Sequence, residues 1–187
     1  MTISIRHADP DMTGALGNRE APTDVEGSWD RDDWQRMWFR TQSRDWRMLA
    51  LVPGDDHTST FDVANLIARL ALDHGESVRV ADVRALRPKH VDGFLEGARW
   101  EADKGTRIVF ATRSVSTNAA TVPLARAADC VILCASLGST SLTSIKDTIE
   151  QVGRKHFLGS LLVQATTKSA SMRLALSTHS PGPKARP

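Results

Sequence analysis

Apolar positions follow two alternating rhythms between residues 48 and 163. Short apolar runs read as strands: MLALVP (Met48–Pro53), SVRVADV (77–83), RIVFAT (107–112), DCVILCA (129–135) and LGSLLV (158–163). Between them, apolar residues recur at helical spacing. Residues 59–73 place Phe61, Ala64, Leu66, Ile67, Leu70 and Ala71 on one face, with Ser59 and Asp62 as a capping pair and Gly75 as a stop. Further helices are predicted within 88–104, closed by Gly105, within 116–127, which contains Pro123, and over 140–152, closed by Gly153. Strand–helix alternation with near-continuous apolar strands predicts an α/β domain over 48–165: a mostly parallel sheet with helices on both faces, a three-layer sandwich. Met48–Pro53, 78–82 and 108–111 are expected as neighbouring buried strands. In such sheets ligands sit beyond the carboxyl ends of the strands, so the loops after Pro53, Asp82, Ala111, Ala135 and Val163 become the places to look.

The flanks differ. Residues 1–28 show no apolar period and are expected to be disordered. Residues 166–187 are rich in Ser, Thr and Pro, with Lys168, Arg173, Lys184 and Arg186 and no acid, and read as a basic flexible tail. Residues 29–47 interleave Trp29, Trp34, Trp38 and Trp46 with Arg36, Arg40, Arg44 and Arg47. Trp34 and Trp38 are i, i+4 neighbours, so a helix presents them on one side. Two readings stand: a helix packed on its own sheet, or a docking face built on Trp and Arg.

Composition narrows the function classes. The 187 residues hold 24 Lys plus Arg against 22 Asp plus Glu, a formal charge of +2, which gives no global argument for nucleic acid or membrane. Asp30, Asp32, Asp33 and Asp45 dilute the Arg-rich segment, which further argues against nucleic acid. No apolar run approaches the roughly 18 residues of a membrane span, and no secretory signal is visible, so a soluble cytoplasmic chain is expected. Cys130 and Cys134 share one apolar run and read as buried reduced thiols. The histidines make no metal spacing, and no metal site is expected.

The loop after the first strand, PGDDHTST, has the outline of a phosphate-binding loop: strand, Gly54, the cluster Thr58, Ser59 and Thr60, then helix. A working loop of this kind reads G-x-x-x-x-G-K-S/T, with Lys reaching the β and γ phosphates and Ser/Thr holding magnesium. Here the second Gly and the Lys are missing, and Asp55, Asp56 and Asp62 bring carboxylates instead. At about 6 Å and an effective dielectric near 20, each unscreened like-charge pair contributes roughly 2–3 kcal/mol of repulsion. A helix terminus returns only about 0.3–1 kcal/mol. His57 in this loop has no Cys or Asp arrangement that would make it a base.

Several stretches together resemble one superfamily. Phe39-Arg40-Thr41 resembles the second part of an E-x-x-R-x-x-R motif, with Arg40 as its first Arg, Met37 at the Glu and Ser43 at the second Arg. PGDDHTST followed by Ala64-Asn65-Leu66 is similar to PGEGKST…ANL. VRVADVRALRP resembles D-x-D-x-R followed by R-P, with Asp82 and Arg84 matching and Val80 at the first Asp. IVFATRSV is similar to a Walker B stretch, with Ala111 at the Asp and Thr112 kept. AADCVILCASLGST…LGSLLV matches a further stretch, with Val163 at an Asn that reads adenine. The pattern over residues 35–165 resembles the bacterial tyrosine-kinase and ParA/MinD-like P-loop ATPases, in particular those of exopolysaccharide synthesis and export. The resemblance implies a P-loop fold whose scaffold positions survive (Gly54, Asp82, Arg84, Thr112) while its catalytic Lys and two carboxylates are replaced. Phosphoryl transfer needs those groups for charge neutralisation and metal binding. The chain also contains no tyrosine, so a tyrosine cluster for autophosphorylation is excluded.

The expectation is therefore a catalytically inactive pseudo-ATPase: no cofactor, with at most weak ATP and magnesium binding. It would act on a protein partner, an active P-loop relative or a polysaccharide co-polymerase, or assemble with itself. It would be cytoplasmic and reach the inner membrane only through a partner. Trp34, Trp38 and Arg40 are its candidate contact residues. The alternatives are a divergent ATPase or kinase that uses His57 or groups from a neighbouring subunit, and a ParA-like positioning factor.

Overall fold

The computed structural model describes residues 31–164. The expectations for 1–28 and 166–187, and Trp29, lie outside the described residues. The chain runs α1 (Arg31–Thr41), β1 (Met48–Pro53), α2 (Thr60–Asp73), β2 (Val78–Asp82), a 3-10 turn (Pro88–His90) and α3 (Val91–Asp103). It continues with β3 (Arg107–Ala111), α4 (Thr121–Ala127), β4 (Cys130–Leu137), α5 (Leu142–Val152), a second 3-10 turn (Arg154–His156) and β5 (Phe157–Gln164). The five strands form one sheet in the order β2-β3-β1-β4-β5, and every pairing is parallel.

Central β1 is buried at all six positions. Its even residues, Met48, Ala50 and Val52, join Ile108 and Phe110 of β3 and Val131 of β4 under α3, α4 and α5. Its odd residues, Leu49 and Leu51, join Val109, Ile132, Cys130 and Cys134 under α1 and α2. Period-2 strands between period-3.6 helices therefore make the expected three layers. Both thiols are buried, and loss of hydration pushes Cys130 up to about 11 and Cys134 to about 12, so they stay protonated core groups. The start of β1 is fixed by Asp129, whose Oδ2 accepts from the backbone N–H groups of Arg47 and Met48, each at 2.8 Å.

Helix starts and stops follow the local chemistry. Ser59 Oγ accepts from the Asp62 N–H at the start of α2, and Ser141 Oγ accepts from the Ser144 N–H at the start of α5. Gly75, Gly105 and Gly153, each at positive φ, follow α2, α3 and α5. Two expectations need correction. Strand β2 is half-buried rather than buried, because it forms a sheet edge. The helix expected from residue 116 begins at Thr121. Before it, Asn118 donates to the carbonyls of Arg84 and Leu86 and accepts from the Ala120 N–H, so the side chain competes with helix formation.

Helix α1 packs on the sheet face shared with α2. Trp34 is 7% exposed and Trp38 is 1% exposed. Trp38 also stacks on His74, with ring centroids 5.7 Å apart. The docking face expected of Trp34 and Trp38 is thus turned inward, because α1 covers the chain's own β-sheet; Phe39 and Arg40 are among the residues of that segment left exposed, with Arg36, Arg44 and Arg47. Trp46 is fully buried beneath the guanidinium of Arg107, which pairs with Glu76. Among the described residues no helix is long and apolar enough to cross a membrane.

Replacing Trp38 by Ala leaves a cavity under α1. We expect a loss of about 3–5 kcal/mol in unfolding free energy, read by urea titration, with the sedimentation coefficient of the folded chain unchanged.

Candidate functional site

The chain leaves β1 toward the face of α2 and leaves both neighbouring strands, β3 and β4, toward the opposite face. Such a reversal opens a crevice at the carboxyl end of β1. A cleft of about 250 Å³ lies there, lined by Pro53, Asp56, His57, Thr58, Ser59, Arg84, Thr112 and Arg113. It is smaller than the roughly 300–1,000 Å³ typical of pockets that enclose an organic ligand. Of the candidate loop residues, Thr58, Ser59, Arg84 and Thr112 line this one cleft. Gly54, Thr60 and Asp82 stand behind this lining, and Trp34, Trp38 and Arg40 lie away from it on α1.

The other side of β1 is plugged. A Cβ on Gly54 would meet Thr140 Cγ2 at 2.7 Å and Ile145 Cγ1 at 3.3 Å, so only glycine lets the β4–α5 connection close on the loop. The Gly54 N–H donates to the Cys134 carbonyl at 2.8 Å, and the Thr140 hydroxyl accepts from the Ser136 N–H at 2.7 Å.

Within the loop, two amides and several hydroxyls already have protein partners. Asp55 Oδ1 accepts from the N–H groups of His57 at 2.9 Å and Thr58 at 3.1 Å, and from the Thr58 hydroxyl at 3.2 Å. A carboxylate of the chain therefore takes the place that an anionic ligand would take. Thr58 Oγ1 also shares a 2.9 Å hydrogen bond with Ser136 Oγ. Thr60 Oγ1 donates to the Thr112 carbonyl at 2.6 Å, and Thr112 Oγ1 donates to the Leu51 carbonyl at 2.8 Å. Asp56 Oδ1 accepts from the Ser114 hydroxyl at 2.9 Å and the Thr117 hydroxyl at 2.8 Å, tying the loop to the β3–α4 connection. The picture of three carboxylates facing a phosphate is changed in one respect: Asp55 turns to its own loop's amides and the Thr58 hydroxyl, while Asp56 lines the cleft and bonds to two hydroxyls of the β3–α4 connection. Asp62 stays exposed on α2.

Burial pushes the Asp55 carboxyl up, but the Thr140 hydroxyl, the His57 N–H and both donors of Thr58 outweigh it, leaving Asp55 below the usual carboxylate range. Its Oδ2 is buried with no partner in hydrogen-bonding geometry, so Oδ1 carries the loop. Asp82 is likewise held down, chiefly by hydrogen bonds from the Arg84 side chain, against a burial cost. Arg84 grips Asp82 through Nε and Nη2, each at 2.8 Å, with its guanidinium 5.0 Å from the centre of the Phe61 ring. The pair is about two-fifths exposed, so its net contribution to stability is at most about 1 kcal/mol.

At the carboxyl ends of β2 and β3 the described strands carry one carboxylate, Asp82, which Arg84 holds. Val80 pairs with Val109 in register, and Ala111, fully buried, lies between Leu51 and Asp82. Among the described residues no group of His, Cys, Asp and Glu is disposed to hold a metal ion. The sequence reading missed Asp56 as a tie, and it missed Arg113, Ser114, Thr117, Ser136 and Thr140. Nothing local marks these residues; their partners lie on other loops.

Two outcomes follow from this geometry. Gly54→Ala should cost about 1–3 kcal/mol through the clash with Thr140, and the added Thr140→Ser change, which removes Cγ2 but keeps the hydroxyl, should restore most of it in chemical denaturation. Asp55→Asn should destabilise the fold at neutral pH. Because the folded carboxyl lies below its unfolded value near 3.9, this difference is present above that value and vanishes as pH falls through the folded pKa, which stability measured from pH 7 to pH 2 will show.

No protein-family model and no curated protein matches the chain. Solved structures do match in architecture. The kinase domain of the Escherichia coli tyrosine kinase ETK superposes with a TM-score of 0.55 at 11% identity, over 79% of this chain and 77% of that one. The BceF tyrosine kinase domain superposes with a TM-score of 0.53 at 12% identity, over 69% of this chain and 73% of that one. At such identity the likeness is one of fold: this chain has the P-loop-type α/β fold of bacterial tyrosine kinase domains.

Proposed function

We propose that this protein is a P-loop-fold protein that has given up phosphoryl transfer and acts through contacts with other proteins, as an interaction or regulatory partner in bacterial exopolysaccharide synthesis or export. The observation that carries the reading is the Asp55 carboxylate bonded to the amides of His57 and Thr58. A nucleotide would have to displace it and bring a further charge near −4 beside it. The missing loop Lys, and Val80 and Ala111 in place of carboxylates, point the same way. The assignment to exopolysaccharide systems rests on the sequence resemblance, and with it the expectation of a cytoplasmic protein held at the inner membrane by its partner.

Contact with an active P-loop relative falls to the part of α1 that remains outside. Phe39 is 62% exposed and Arg40 lies beside it. Phe39 packs edge-on against His74 but buries little. An aromatic residue beside an Arg is a composition favoured at interface hot spots.

Calorimetric titration tests the chemical half of this reading. With ATP and magnesium we expect no dissociation constant below about 10 μM, which corresponds to about 7 kcal/mol. A tighter value would contradict it, and ATP hydrolysis abolished by His57→Ala would establish an enzyme instead. Sedimentation velocity with an active P-loop relative tests the other half. Phe39→Ala and Arg40→Ala should each weaken association about tenfold or more, and a wild-type chain that ignores such partners removes the reading.

A further inference from the structure

Helix α5 covers β4 and stops short of β5. Its apolar stripe is Leu142, Ile145, Ile149 and Val152, of which only Val152 is fully buried, while Leu142 is 84% exposed. Beyond it no described residue covers the sheet face: Ser160 and Leu162 of β5 stand in register with Leu133 and Ala135 of β4, and Leu162 is 55% exposed. Between helix and edge strand runs an apolar trough of about 340 Å³, walled by Ile145 and Ile149 on one side and Phe157 and Leu162 on the other. A trough of this kind on an edge strand is a place for another segment to add apolar side chains.

We propose that the occupant is this chain's own residues 172–176, which bring Met172, Leu174 and Leu176 into the trough. Two facts select it over other occupants. First, β5 ends at Gln164, two residues past Leu162, and the next 23 residues contain no other large aliphatic side chain than these. Second, the eight peptide units from Gln164 to Met172 span up to roughly 26 Å when extended, enough to return along β5. A tether this short holds the segment at an effective concentration on the order of millimolar, which a separate molecule of the same low affinity would not match in dilute solution. The inference is independent of the proposed function: the trough lies on α5 and β5, and the loop after β1 takes no part in it.

Hydrogen exchange of the full chain tests it, with no partner added. Protection of the β5 amides of Leu161–Val163 is expected to fall at least tenfold in the double variant Leu174→Asp, Leu176→Asp, while the β1 amides keep theirs and report that the fold is intact. The double variant Leu174→Met, Leu176→Met, which keeps apolar bulk, is expected to retain the wild-type protection. Unchanged β5 exchange in the Asp variant overturns the proposal and leaves the trough to a separate protein. Protection that fades on tenfold dilution overturns it in favour of a second copy of the chain.

Discussion

A strand buried on all six residues and paired on both sides leaves the chain no choice about what happens at its end. β1 delivers Gly54 into the crowded space between β4 and α5, where even one extra carbon would collide with Thr140. The loop that follows ties itself back to the protein. Asp55 does so from within the loop, and Asp56 reaches across to Ser114 and Thr117. The rest of the site is arranged around that closure: Thr60 bonds to the end of β3, Thr112 bonds back to β1, and Thr58 bonds to the end of β4. The hydroxyl cluster thus holds three strand ends together.

Much of the fold was legible because each strand is a compact apolar run and α2, α3 and α5 are each followed by a glycine stop. The strand starts and ends fall within a residue or two of the patterns MLALVP, SVRVADV, RIVFAT and LGSLLV, because burial on the faces of a parallel sheet demands such runs. The DCVILCA strand runs on through Leu137, where Ser136 bonds to Thr140 and Thr58 and so keeps a polar residue in the ladder. The late start of α4 was hidden because it depends on Asn118 finding carbonyls 32 and 34 residues away.

The site was legible by composition and opaque in orientation. Which residue types cluster after β1 can be read directly, and so can the missing Lys. Where Asp56 points cannot, since its partners Ser114 and Thr117 are 58 and 61 residues distant. The same limit applied to α1. An amphipathic stripe with Trp34 and Trp38 is written in the sequence, but whether it meets its own sheet or another protein depends on the unfilled sheet face above β1 and β4. That face took both Trp residues and left Phe39 and Arg40 outside.

A phosphate-binding loop turns its backbone N–H groups toward an anion that comes from outside the chain. The loop after β1 here carries its own anion as a covalent part of the chain, one residue from Gly54 and at fixed stoichiometry. Its bonds run between neighbours two and three residues apart, so they form as soon as that stretch of chain turns. The shape of this turn is thus encoded locally, in the side chain of a single residue.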